Sequence, residues 1–308
     1  MDETIVQAGS FVSPRVIRTL QLARQRGYVL AIASGRPLCL VTESLLRAGV
    51  MDYAICSNGA IVTSLRDNAV VVQRTLPRDV ALGCIHALEP FSPAWNGFFD
   101  HQAFFEWKGA SYMIFGRADA VARSGGHVRG LVGAIPRLTV QGLRFAKRLL
   151  SNGSHHQVWS LITHLSRARG GIEKIGCTIA DPQECDAAAQ LLRDVGLFEV
   201  MRMGRSELEI TARGVTKGSG ARWLIDALRM DAKRCVAFGD GGNDLPLSDV
   251  VGRFVAMGNA DESVKQAADD VCPTVYEDGV AVWIEKNLLG LQDTSCYAGN
   301  NSRSTERT

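Results

Sequence analysis

Two short, uninterrupted apolar runs in this chain each end in a tight polar turn, and that arrangement restricts the fold more than any other feature. Residues 28–34 read YVLAIAS and stop at Ser34-Gly35-Arg36. Residues 234–240 read RCVAFGD and run into Gly239-Asp240-Gly241-Gly242-Asn243-Asp244. An apolar run of this length, bounded by turn residues, is a strand buried on both faces, and such strands belong to parallel sheets covered by helices. The surrounding sequence keeps the same rhythm. Ser13 caps and Pro14 opens a helix that Gly27 ends. Pro37 to Gly49 reads as a second helix, YAICSNG as a second buried strand, and AIVTS with AVVVQRT as a hairpin around LRDN. Further on, a helix from Lys217 to Met230 precedes RCVAFGD; a short helix in LPLSDVVG, a strand in FVAMGN, a helix in ADESVKQAA and a last strand in DVCPTV follow it. The alternation predicts an α/β fold with a Rossmann-like parallel sheet.

Between these stretches the pattern changes. From Leu76-Pro77 to about Glu207 the sequence carries aromatic clusters such as FFDHQAFFEW and no Gly-rich turn after a buried strand. Within it, IEKIGCTIA, PQECDAAAQLLRDVG and LFEVMRM read as strand, helix and strand, and SNGSHHQ receives no assignment. The expected organisation is a discontinuous core of residues 1–77 and 208–290, an inserted α/β domain of residues 78–207, and a disordered polar tail of residues 291–308.

Composition narrows the function classes. A chain of 308 residues has room for two domains, and a net charge of +2 gives no argument for nucleic acid or an anionic membrane. It contains no run of about 18 apolar residues, and its acidic opening lacks the pattern of a secretory signal. The eight cysteines include no CxxC pair and read as buried free thiols, which implies a reducing, cytoplasmic setting. His155 and His156 have no third ligand nearby in sequence and read as part of a polar loop.

Three pieces carry chemistry. Asp240 and Asp244, on a Gly-rich turn at the end of a buried strand, can converge on one hard cation; a solvated Gly/Asp turn is the plainer alternative. The Ser34 hydroxyl and the N–H groups of Gly35 and Arg36 can hold a phosphate, although Ser-Gly also opens many ordinary turns. Lys217 supplies either a point charge for phosphate or a solvated surface group.

In this order, Ser-Gly-Arg, then Lys, then Gly-Asp-x-x-Asn-Asp, the pieces resemble the second, third and fourth motifs of the haloacid dehalogenase superfamily. Ser57-Asn58-Gly59-Ala60, Leu208-Glu209-Ile210, Met257-Gly258-Asn259-Ala260 and Glu277-Asp278-Gly279-Val280-Ala281 are similar to its Cof-type phosphatases. The resemblance covers residues 1 to about 290. It implies a cap domain in the insert and a magnesium-dependent hydrolysis of a small phosphorylated metabolite, such as a sugar phosphate, through an aspartyl-phosphate. It gives Ser34, Gly35, Arg36, Lys217 and Asn243 to the phosphate, and Asp2, Asp240 and Asp244 to the Mg2+ ion.

Such proteins open with a strand running into Asp-x-Asp-Gly-Thr, where the first Asp attacks phosphorus and the second is the acid/base. Here Met1-Asp2-Glu3-Thr4 aligns as x-Asp-Gly-Thr with Glu3 in place of the glycine. The expectation is that Asp2 is the acid/base, that the nucleophile and opening strand precede Met1, and that hydrolysis by this chain is impaired. A rival alignment makes Asp2 the nucleophile and puts Thr4 in the acid/base position. The resemblance leaves room for an inactive phosphometabolite-binding relative or a phosphomutase of the phosphomannomutase type. The absence of GxGxxG after a strand argues against a dehydrogenase. In the insert, Phe98, Phe99, Phe104 and Trp107 read as core packing rather than pocket lining, while His101 and Lys108 are candidates to face substrate.

Overall fold

The computed structural model describes residues 1–7, 11–108 and 154–291. The expected tail, apart from residue 291, lies outside them, as does the part of the insert between 109 and 153. The first helix, α1 (Pro14–Gln25), starts as its sequence dictates: Ser13 Oγ accepts hydrogen bonds from the N–H groups of Arg15 and Val16. It buries Val16, Thr19, Leu20 and Ala23, one face at helical spacing. β1 (Ala31–Ala33) follows. Pro37 to Gly49 does not form the single helix expected; it divides into a 3₁₀ turn, Leu38–Leu40, and α2 (Glu43–Arg47). Val41 and Thr42, both β-branched and both extended, separate the two, because such side chains lose rotamer freedom in a helix. β2 (Tyr53–Cys56) pairs in parallel with β1, and β3 (Ile61–Ser64) and β4 (Val70–Gln73) continue the sheet antiparallel, as the hairpin reading required.

The chain then leaves for a second layer. α3 (Arg78–Leu88), β5 (Ala94–Phe99), β6 (Gln102–Glu106), β7 (His155–Val158), α4 (Leu161–Leu165), β8 (Ile172–Thr178), α5 (Pro182–Val195), β9 (Phe198–Met203) and β10 (Glu207–Ala212) are its described elements. Its sheet runs β7-β6-β5-β8-β10-β9. One face packs Trp95, Phe99, Phe104, Ile175, Cys177, Leu208 and Ile210 against apolar residues of α3, α4 and α5. Phe99 and Phe104 stack there with centroids 4.3 Å apart, which is core packing as read from the sequence. The histidine pair lies on β7 rather than in a loop: pairing with β6 stacks His155 on Phe105 and His156 on Phe104.

The return to the core opens with α6 (Lys217–Ala227), then β11 (Val236–Gly239), β12 (Arg253–Ala256), α7 (Glu262–Ala267), β13 (Asp270–Val271) and α8 (Gly279–Asn287). The short helix expected in LPLSDVVG is instead a 3₁₀ turn, Gly242–Leu247. It begins earlier because Asp244 accepts the N–H groups of Asp240 and Gly241, and Pro246 brings no N–H of its own.

Parallel pairing holds β11, β12 and β13 together, but in a sheet of their own. Among the described residues β1 pairs only with β2 and β11 only with β12, so each sheet shows an unpaired parallel edge. One apolar cluster nevertheless serves both, drawing on α1, β1, β2, α6, β12 and α8. Val236, Ala237 and Phe238 of β11 are half-buried, whereas Phe254, Val255 and Ala256 of β12 are buried. Residues 1–4 bridge the carboxyl ends of β1 and β11: the Met1 amino group donates to Ala33 O, and Thr4 Oγ1 donates to Asp240 Oδ1. No helix among the described residues is long and apolar enough to cross a membrane. Seven described cysteines are free thiols, and Cys296 lies outside the described residues.

Candidate active site

Lys217 is the first residue of α6, and a capping box between Thr216 and Ser219 fixes the helix start beneath it. Glycines let the helix approach the core closely. Gly59 has a φ of +100°, and a Cβ there would lie 2.2 Å from Thr216 O; a Cβ on Gly220 would lie 2.7 Å from Gly59 Cα. The result is a lysine only 3% exposed. Its Nζ donates to Asp244 Oδ1 at 2.7 Å and to Asn243 Oδ1 at 3.0 Å. Asp244 completes its valences with the N–H groups of Asp240 and Gly241, at 3.1 and 3.3 Å. Lys217, Asn243, Asp244 and Asp240 therefore meet, the lysine reaching from the start of α6 to the turn that carries the other three.

Burial alone would raise the pKa of Asp244, but the Lys217 ammonium outweighs it and holds the carboxyl below the usual range. Asp240 goes the other way: burial raises it, and the Asp244 charge adds to the rise against the Thr4 hydroxyl and the Met1 ammonium. The Met1 amino group is itself buried among them, its pKa lowered by burial and by Lys217, and supported by Asp244 and Asp240.

The second expected group sits beside the first. Ser34 is 2% exposed, and its Oγ accepts the Arg36 N–H at 3.1 Å. Arg36 pairs with the carboxylate of Asp2 at 2.8 Å. Asp2 therefore faces the phosphate-type turn, and it is Thr4 that touches Asp240. Sequence reasoning assigned no role to Lys174 and Glu173, buried charges on β8, or to the contacts they make with Glu209 and Ser57. The available signal was two adjacent charges inside the otherwise apolar run IEKIGCTIA. His101 lies in the lining of a cavity of about 320 Å³ with Pro37, Cys39 and Glu173, between the core and the second sheet.

Among the described residues no three acidic, histidine or cysteine side chains gather as a ready-made metal cage. Asp240 and Asp244 still fit Mg2+, which takes one or two carboxylates and completes its octahedron with water and phosphate oxygens. Asp240 would be the direct ligand, since Asp244 is already committed to Lys217 and to backbone N–H groups.

These shifts have opposite signs in a pH titration. Asp244, lowered, stabilises the fold above the ordinary carboxylate range, and the contribution is lost as pH falls through its depressed value. Asp240, raised, costs stability as it ionises, so its penalty develops as pH rises through the same range. Asp240→Asn is expected to be more stable than the natural chain at pH 7 in metal-free buffer, with the gap closing toward pH 3. Urea midpoints measured across that range check it; a constant gap would contradict the assignment.

The chain belongs to the haloacid dehalogenase-like hydrolases: the model of that family matches residues 1–284. It is similar to the 5-amino-6-(5-phospho-D-ribitylamino)uracil phosphatase YcsE of Bacillus subtilis, 32% identical over 116 residues, which are 38% of this chain and 47% of that one. It is also similar to a phosphoglycolate phosphatase of Methanothrix thermoacetophila, 35% identical over 103 residues, or 33% and 46% of the two chains. Across such curated relatives the matched stretch spans between about a third and about a half of their length. Among solved structures, the subclass IIB sugar phosphatase BT4131 superposes with a TM-score of 0.71 at 22% identity, covering 95% of this chain and 97% of that one. At that identity the likeness is one of fold, and it gives the same Rossmann-like core and cap arrangement.

Proposed function

We propose that this site binds the phosphate of a small phosphate monoester, such as a sugar phosphate, and belongs to a magnesium-dependent hydrolysis through an aspartyl-phosphate. The observation that supports it is the buried Lys217 ammonium, oriented by Asp244 and Asn243, beside the Ser34-Gly35-Arg36 turn. Ser34, the N–H group of Gly35 and Lys217 hold the phosphate oxygens, with Arg36 keeping Ser34 in place through its N–H, and Asn243 orients them. Bound Mg2+ would neutralise the charge that develops on the transferring phosphoryl group.

Asp2 is the acid/base. Arg36 holds its carboxylate at the phosphate turn, where it delivers a proton to the leaving oxygen and later takes one from water. In this reading the attacking carboxylate would have to stand where the Met1 nitrogen lies, buried among Asp240, Asp244 and Lys217. An inactive phosphate-binding relative is the second reading. It is favoured by Glu3, which stands at a φ of +56° where the aligned motif has glycine.

The test compares residues 1–308 with a form carrying an apolar segment and an aspartate directly before Met1. Magnesium-dependent hydrolysis of p-nitrophenyl phosphate is followed together with binding of inorganic phosphate. Turnover by the extended form alone is the expected result. Turnover by residues 1–308 that Asp2→Asn abolishes would make Asp2 the nucleophile. Phosphate binding with no turnover in either form selects the inactive relative.

A further inference from the structure

The other end of the first sheet holds a cavity that the reaction above does not use. β1 and β2 are parallel; Ser34 and Ser57 follow their carboxyl ends, whereas Leu30 and Asp52 stand just before their amino ends. Beside Asp52 lies a cavity of about 320 Å³, at the small end of the range for ligand sites. Leu38, Leu45, Leu46, Met51 and Leu65 supply its apolar wall, and Arg24 and Arg66 are its charged residues. Leu45 and Met51 are buried, while Leu38, Leu46 and Leu65 are half-buried and leave apolar surface to be covered.

Asp52 fixes both guanidinium groups. It is 1% exposed, and its Oδ2 accepts the Leu30 N–H at 3.0 Å. Its Oδ1 accepts from Arg66 Nε and Nη2 at 3.1 and 2.7 Å, and lies 3.1 Å from Arg24 Nη2. Arg24 is tied down further by donating through Nη1 to the Gly49 carbonyl. Burial alone would raise the pKa of Asp52, but the Leu30 N–H and the guanidinium groups of Arg66 and Arg24 hold it below the usual range, so it stays ionised.

One carboxylate therefore orients two cations that meet at a single oxygen. Their mutual repulsion is only partly offset by one negative charge between them, and a second anion removes the remainder. The described residues that line the cavity include no acidic side chain to supply it. Nearby, Glu43 and Arg47 pair with each other on α2, and the exposed Asp67 carboxylate accepts the Ala69 N–H. A guanidinium fork suits a carboxylate, and the leucine wall suits an alkyl chain. A free phosphate would meet the charge but leave Leu38, Leu46 and Leu65 against water.

We propose that this cavity binds a free straight-chain carboxylate, with its head between Arg24 and Arg66 and its chain over Leu38, Leu46 and Leu65. The site is separate from the Lys217 turn and does not require it.

Calorimetric titrations of the 308-residue chain with octanoate, hexanoate and octyltrimethylammonium, in phosphate-free buffer, test it. Octanoate is expected to bind about fifteenfold more tightly than hexanoate, which is about fourfold for each further CH₂ buried. The ammonium, with the same chain and the opposite charge, is expected not to bind. Arg66→Gln should weaken octanoate about tenfold. Its urea midpoint should stay near that of the natural chain, because Arg24 still pairs with Asp52. Leu46→Gln should shrink the advantage of octanoate over hexanoate, whatever Arg66→Gln does to the fold. No octanoate binding, equal binding of the ammonium, or affinities that neither variant changes would each overturn the site. Displacement of octanoate by inorganic phosphate, with unchanged affinity in Arg66→Gln, would put the carboxylate at the Lys217 turn and overturn it as well.

Discussion

Replacing Lys217 by methionine is expected to destabilise the protein by about 3–5 kcal/mol and to remove measurable phosphate binding. The methionine fills much of the same space, so the loss is electrostatic. Asp244 keeps its place 3% exposed but loses the ammonium that holds it ionised. Against a total stability of roughly 5–15 kcal/mol for an ordinary domain, that is a large fraction. Adding Asp244→Asn to Lys217→Met should restore much of the stability and none of the binding, because the stranded charge goes while the phosphate cation stays absent. Urea denaturation and phosphate calorimetry on the two variants read the terms separately.

The second large effect comes from a residue that touches no substrate. Gly59→Ala is expected to cost about 2–5 kcal/mol, combining a left-handed backbone with overpacking. The atom a Cβ would strike is the backbone oxygen of Thr216, at 2.2 Å, with no flexible side chain to yield. The helix start itself must move, and Lys217 moves with it, so phosphate affinity should fall alongside the denaturation midpoint. Gly83→Ala in α3 provides the contrast: nothing lies within 4 Å of its Cβ, and the change should be neutral or slightly stabilising. Similar midpoints for the two variants would show that the close approach of α6 does not depend on Gly59.

Much of the fold was legible because its signals are local. The cap at Ser13, the apolar runs at Ile32 and Phe238, and the hairpin of β3 and β4 each declare themselves within a few residues. The segment from Pro37 to Gly49 was misread because the pattern of apolar residues outweighed Val41 and Thr42, whose cost to a helix is small and local. His155 and His156 were misread because a strand is made by its partner, here β6, and the partner is distant in sequence. The site followed the same division. Lys217, Asp240, Asp244, Asn243 and Ser34 stand in motifs whose spacing carries the chemistry. Asn58 and Glu209 stand in two of the motifs that carry the resemblance, but Lys174 had no such signal, and the meeting of the three over Gly35 depends on where the cap sheet lies, which no short stretch of sequence encodes.

The division of the parallel strands into two sheets has a consequence for how the core comes apart. Within each sheet, a ladder of backbone hydrogen bonds makes neighbouring strands open together. Across the seam between β1 and β11, apolar packing and a few side-chain contacts do that work, among them Arg15 and Thr19 on Glu285 and Gln7 on the Val275 carbonyl. Apolar packing weakens on cooling in a way that a hydrogen-bond ladder does not. Cooling is therefore expected to raise amide exchange at β1 and β11, on either side of the seam, before it does so at β2 and β12 within the ladders.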